Sequence, residues 1–298
     1  RYRGRRRKRI SKTLLLGRFL YEKKGETHMK RKYDMVFCDL DGTLLDHTHR
    51  QIPQINQRAI QRAIEAGVIF VICTGRGVFG VENHLRTLGL LGKEGCVICQ
   101  NGSTIYQTKT MEPLVLQSFS AADFVPVARL IHQHQLGLQM YYDRDFLGET
   151  ETPRIKEYCN IMGVSLHKID ALHYDGQFSK CLADGPREKL EILRREVANL
   201  TDQFDMYYSG SNYLEFVPKG VHKGKALEDV ANRFGVPLSR TLAIGGSEND
   251  CFMLEKAGFA VAMVNGEDGI KAVADYVTVH NYDEGGVAEA MEKFLYLE

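Results

Sequence analysis

Two carboxylates two residues apart, Asp39 and Asp41, close the short apolar run Met35-Val36-Phe37-Cys38 and precede Gly42. An apolar run bounded by a Gly-containing turn is expected to be a buried strand. Such a strand delivers both acids at its carboxyl end, and in near-extended chain side chains two residues apart point the same way. Acids that close repel unless one keeps its proton or a cation lies between them. The pattern suits one acid as nucleophile, the other as proton shuttle, and a hard divalent metal holding both. The plainer alternative is a turn in which an Asp caps a helix, and only partners downstream decide between the two. A calcium loop is excluded. Counted from Asp39, its sixth and twelfth positions hold Leu44 and Arg50, where Gly and Glu are needed.

The elements that would position further groups follow in order. Apolar residues at Ile55, Ala59, Ile60, Ala63 and Ile64 have helical spacing, ended by Gly67. The continuous run Val68–Cys73 predicts a fully buried strand that ends in Thr74-Gly75-Arg76, and a second helix pattern reaches about Leu88. Strand and helix in alternation mean a parallel sheet covered on both faces, with the ligand at the carboxyl ends of the strands, where Asp39 and Thr74 lie. Asn101-Gly102 between Cys96–Cys99 and Thr104–Tyr106 predicts a hairpin. From about Met111 the strands turn amphipathic (114–119, 138–142, 178–183, 204–208) and alternate with helices near 121–135, 152–162 and 186–199. That change predicts an inserted α+β module. The buried pattern returns at Thr241-Leu242-Ala243-Ile244, followed by Gly245-Gly246-Ser247-Glu248-Asn249-Asp250. The expected division is therefore a basic extension over 1–29, a doubly wound α/β core over 30–111 and 212–298, and the inserted module over 112–211.

Composition narrows the partners. Residues 1–28 hold eleven Lys/Arg and two Glu, while the remainder holds 28 Lys/Arg against 36 Asp/Glu, so +9 precedes a body of −8. A net-acidic body argues against nucleic acid as the partner of the folded part. The head is expected to be disordered or foreign to the fold, with Met29 as the working start. No apolar run approaches the ~20 residues of a membrane helix, and no membrane partner is expected. Seven scattered cysteines are those of a reduced, cytoplasmic protein. Cys96 and Cys99 form a C-x-x-C on a strand, where that spacing puts them on opposite faces, so neither zinc nor redox use is expected. His132 and His134 are expected to be solvated rather than ligands.

Taken together and in order, these loops resemble the haloacid dehalogenase-like phosphohydrolases, of the Cof type (subfamily IIB), with a cap inserted between the second and third motifs. The likeness runs from about Lys32 to the C-terminus. It implies Asp39 as nucleophile and Asp41 as general acid/base, with Gly42 in the same loop. It implies a phosphoryl-binding hydroxyl at Thr74, with Gly42, Gly75 and Arg76 as substrate contacts. Gln100-Asn101-Gly102 resembles the substrate-side loop of this branch, and Asn249 is implied as a further substrate contact. The segment from Pro218 to Leu227 is similar to the third motif and implies Lys223 as the phosphate-neutralising lysine. Magnesium would be held by Asp39, the Asp41 carbonyl and Asp250. The family's fourth motif begins Gly-Asp, and this chain has Gly246 where that ligand belongs; Glu248 is the candidate substitute.

The implied activity is a magnesium-dependent phosphatase acting on a small phosphorylated metabolite through an aspartyl-phosphate, with sugar phosphates first among substrates. Two alternatives stand beside it. One is an impaired relative that binds a phosphometabolite or a protein, which Gly246 favours; the other is a phosphotransferase or mutase. A dinucleotide-binding dehydrogenase is excluded, because no G-x-G-x-x-G follows the first strand. Selection of the leaving group is assigned to the inserted module, with Tyr142, Asp143, Arg144, Tyr208 and Tyr213 as candidates near strand ends.

Overall fold

The computed structural model describes residues 31–210 and 212–296, so the expectations for the basic head fall outside it. Five parallel strands form the central sheet in the order Tyr276–Val277, Phe259–Ala262, Thr241–Gly245, Met35–Cys38, Ile69–Ile72. Phe37 lies between Ala243 and Val71 in register. Their sequences are continuously apolar because both faces are covered. Val36 and Cys38 pack with Ile60, Leu85, Val287 and Met291 on one face. Met35 and Phe37 pack with Leu227, Val230, Met253 and Leu254 on the other. This is the doubly wound α/β core expected from the alternation of elements.

Beyond Ile69–Ile72 the chain adds Cys96–Cys99 through a parallel bridge between Cys73 and Ile98. That strand is the first of a three-stranded antiparallel sheet with Thr104–Gln107 and Pro113–Leu116. The hairpin at Asn101-Gly102 forms as predicted, with Gln100 and Asn101 themselves in the left-handed region at φ 51° and 58°. Cys96 and Cys99 are buried on opposite faces, as the spacing required. The expected helix after Arg76 is broken. A 3-10 turn at Val78–Gly80 and a short helix at Glu82–Thr87 replace it, because Gly77 and Gly80 interrupt the first turn.

A second layer system follows. Six strands order as Phe204–Ser209, Tyr213–Pro218, Lys180–Asp184, Gly137–Tyr142, Asp145–Gly148 and Leu166–Lys168, with helices Ala121–Gln133 and Arg187–Leu200 packed on them. The strand Tyr213–Pro218 pairs with both Phe204–Ser209 and Lys180–Asp184. We therefore propose that the inserted module runs to Pro218 and not to 211. Its sequence, Tyr-Leu-Glu-Phe-Val-Pro, is nearly as apolar as a core strand. Among the described residues, no helix is long and apolar enough to cross a membrane.

Candidate active site

Four chain segments leave neighbouring strands at the same edge: Asp39 after Cys38, Thr74 after Cys73, Gln100 after Cys99 and Gly246 after Gly245. A fifth is brought by the helix Lys223–Arg233, whose first residue is Lys223 and whose N-terminus is capped by His222 Nδ1, accepting from Lys225 N at 3.1 Å. The three lysines of this region separate clearly. Lys223 Nζ is fully buried and donates to Asp39 Oδ1 at 2.7 Å and to Asp250 Oδ1 at 2.6 Å. Lys219 and Lys225 are exposed and pair with Asp205 and Asp229.

Two buried carboxylates face one ammonium, leaving an excess of one negative charge. Burial and the neighbouring Asp250 push the Asp39 carboxyl up to about 7 against the pull of Lys223. Burial works to neutralise Lys223, but Asp250 and Asp39 outweigh it and hold the ammonium well above its usual range. Thr43 Oγ1 donates to the second Asp39 oxygen at 3.2 Å.

Asp41 has partners of its own. The chain turns at Leu40–Leu44, with Gly42 at φ 71°, and the Asp41 charge still reaches Asp39, helping to raise its carboxyl. Arg76 takes Asp41 in a fork, Nε to Oδ2 at 2.7 Å and Nη2 to Oδ1 at 2.5 Å, and His49 Nδ1 lies 3.0 Å from the same Oδ1. Burial would raise this carboxyl, but His49 and Arg76 outweigh it and hold it well below the usual carboxylate range. Arg76 thus grips an acid rather than standing free for substrate. Thr74, also buried, accepts from Arg76 N at 3.1 Å, the turn-capping bond open to any Thr in that place.

A divalent cation finds a thin set of donors. Asp250, expected as a ligand, has both oxygens engaged, Oδ1 by Lys223 and Oδ2 by the N–H groups of Gly246 and Ser247 at 2.9 and 3.0 Å. Glu248 faces Arg194 of the inserted module at 3.4 Å. Among the described residues, no three His, Cys, Asp or Glu side chains are arranged around a metal position. What fits a hard cation is the uncompensated negative charge, the Asp39 carboxylate and the Asp41 carbonyl, with water completing the shell. Because Glu248 is committed to Arg194, Glu248→Gln should change the magnesium requirement less than about twofold; a titration of activity against magnesium checks this.

The matching family model, described as haloacid dehalogenase-like hydrolase, covers residues 36–291. The chain belongs to that family. It is 30% identical to a phosphoglycolate phosphatase of Methanobrevibacter smithii over 263 residues, 88% of this chain and 98% of the relative. A haloacid dehalogenase-like hydrolase from Bacteroides thetaiotaomicron superposes with a TM-score of 0.77 at 27% identity, covering 88% of this chain and 99% of its own. The subclass IIB sugar phosphatase BT4131 shares the fold, with a TM-score of 0.76 at 20% identity over 88% of this chain and 98% of its own.

Around this hydrolase site the inserted module supplies groups that motif reading missed. Lys180 and Glu215 are buried against Gly75 and Asn101. Their signal was a charge inside an apolar strand. The candidates that were singled out hold the module to the core or pack within it. Tyr106 Oη donates to Asp143 at 2.7 Å, Arg144 pairs with Glu82 at 2.6 Å, and Tyr208 lies under Arg187 and Arg194. His132 and His134 pair with Glu149 and Glu196, each at 2.6 Å, rather than standing solvated. Beside Asp41 a cleft of about 320 Å³ opens between core and module, its walls including His49, Arg76, His84, Glu157 and Asn160.

Proposed function

We propose that the enzyme is a phosphatase of small phosphorylated metabolites working through an aspartyl-phosphate on Asp39. The observation that carries this reading is Lys223, fully buried between Asp39 and Asp250 at the carboxyl edge of the sheet. Phosphoryl transfer needs mainly positioning and cancellation of charge on the transferring group. Lys223, the Thr74 hydroxyl and the backbone N–H groups of the turns supply both. Asp39 attacks phosphorus, the bond from phosphorus to the ester oxygen breaks, and the departing alcohol leaves toward the cleft beside Asp41. Asp41 hands a proton to that oxygen and then takes one from the water that releases phosphate. Arg76 and His49 keep its carboxylate ionised, the form needed for the second half; loosening of the fork lets it carry a proton in the first.

Magnesium is the cation we assign to Asp39 and the Asp41 carbonyl, where it would offset the excess charge and steady the phosphoryl oxygens. Sugar phosphates and similar phosphomonoesters fit a polar cleft of this volume, and phosphoglycolate is the substrate named for one relative.

Gly246 favours a second reading, a binder that has lost its turnover. The backbone there lies outside the left-handed region, and an added Cβ would stand 3.4 Å from Gly266 Cα and 3.7 Å from Met263 Cβ, in ordinary contact. An aspartate can therefore be installed. Phosphate release over a panel of phosphomonoesters, run with Gly246→Asp in parallel, separates the readings. We expect the parent to turn over and Gly246→Asp to tighten magnesium by roughly 10–100-fold, seen also as a larger thermal shift with the ion. A silent parent and an active Gly246→Asp would make binding the leading account.

A further inference from the structure

Four hydrogen bonds form a chain between the inserted module and the phosphate-binding loops, two of them crossing from one to the other. Lys180 Nζ donates to the Gly75 carbonyl at 2.8 Å and to Glu215 Oε1 at 2.7 Å. Both side chains are 3% exposed. Glu215 Oε2 accepts from Asn101 Nδ2, and Asn101 Oδ1 accepts from Asn249 Nδ2 at 3.1 Å. The chain of bonds has a direction fixed by chemistry. A carboxylate accepts only, so Asn101 must turn its NH2 to Glu215 and its oxygen to Asn249, which sets the Asn249 amide in turn. Asn249 Oδ1 is left buried without a partner, open only to a donor. A Cβ at Gly75 would lie 3.1 Å from Asn101 Oδ1, a tight contact, and 3.6 Å from both Glu215 oxygens, an ordinary one, so a side chain there would press on the Asn101 amide.

We propose that Lys180 and Glu215 are positioning residues, which set the Gly75 carbonyl and the Asn101 and Asn249 amides so that the core's phosphate site is complete only with the module seated on it. The proposal rests on the phosphatase reading. Consistent with it, Asp39, Thr74, Asn101 and Lys223 are all buried with the module in this seated position. Binding and catalysis are then linked through these four bonds.

Removing one member of a buried ion pair strands the other and destabilises a protein, whereas replacing both with apolar residues is commonly neutral. The informative variant is therefore Lys180→Met/Glu215→Leu, with the isosteric Glu215→Gln beside it in case the double variant does not fold. Three measurements on the full chain suffice: the melting temperature, kcat and KM with p-nitrophenyl phosphate, and calorimetric affinity for inorganic phosphate. We expect a melting temperature near wild type, kcat lower by about tenfold to a hundredfold, and phosphate bound more weakly. A purely structural pair would leave kcat and phosphate affinity of the folded double variant at wild-type values, and that result overturns the proposal. If no phosphomonoester is hydrolysed by the parent, the phosphatase reading fails on its own. Phosphate affinity still tests the pair, since equal affinity in parent and variant refutes it. A parent that binds no phosphate refutes both.

Discussion

Asp39→Asn should abolish phosphate release, by at least about 10⁴-fold in kcat, and at the same time make the folded protein more stable above pH 7. The first half follows from the loss of the attacking oxygen. The second follows from the charge balance around Lys223, where one ammonium faces two buried carboxylates. Burial and Asp250 raise the Asp39 carboxyl to about 7, above the ~3.9 of an unfolded aspartate. A carboxyl whose folded pKa is the higher one binds its proton better in the folded state. Its contribution is harmless near pH 4, becomes unfavourable as pH rises between the two values, and reaches its full cost above about 7. Asparagine keeps the shape and an acceptor for Lys223 while removing the surplus charge. The gain should be about 2 kcal/mol at pH 8 and vanish near pH 4, read from melting curves of parent and variant across that range. Added magnesium should narrow the gap, because the cation relieves the same charge in the parent. Loss of activity together with loss of stability at pH 8 would contradict the charge balance drawn here.

That balance was only partly legible in the sequence. The strands of the core announced themselves because burial on both faces makes them continuously apolar, and each ended in a loop of recognisable chemistry. Lys223 stood out from Lys219 and Lys225 by resemblance alone; geometry now separates them. What sequence did not disclose depends on contacts between distant segments. Arg76 reads as a substrate ligand until its fork on Asp41, 35 residues away, is seen. Glu248 reads as a spare metal ligand until Arg194 is found opposite it. The strand Tyr213–Pro218 carries the apolar pattern of a core strand, and its pairing with Lys180–Asp184 and Phe204–Ser209 shows only in the structure. Spacing along one strand tells which face a side chain takes. It does not tell which partner waits there.

Lys223→Met is the substitution expected to cost most in stability as well as in rate. Lys223 is the first residue of its helix, fully buried, and the ammonium that both Asp39 and Asp250 bond. Methionine fills much of the same volume, so the loss is electrostatic rather than steric. Breaking a buried ionic cluster by deleting one partner costs about 3–5 kcal/mol, and in a chain of this size each kcal/mol shifts the melting temperature by about 2–4 °C. A fall of roughly 10 °C is expected at pH 8. Without the lysine the Asp39 carboxyl loses the pull that lowers it and moves further up, so the folded state retains its proton more strongly, and the deficit should shrink as pH falls toward 5. The rate should drop by at least about 10²–10³-fold, as for other groups that face charge developing in a transition state. Lys225→Met is the control. Its ammonium pairs with Asp229 at 2.7 Å on the exposed face of the same helix, and its loss should change stability by less than about 0.5 kcal/mol and leave kcat alone. Were Lys225→Met the inactive variant and Lys223→Met the active one, the third motif would be misaligned by two residues. The site would then have to be rebuilt around a lysine that the fold leaves in water.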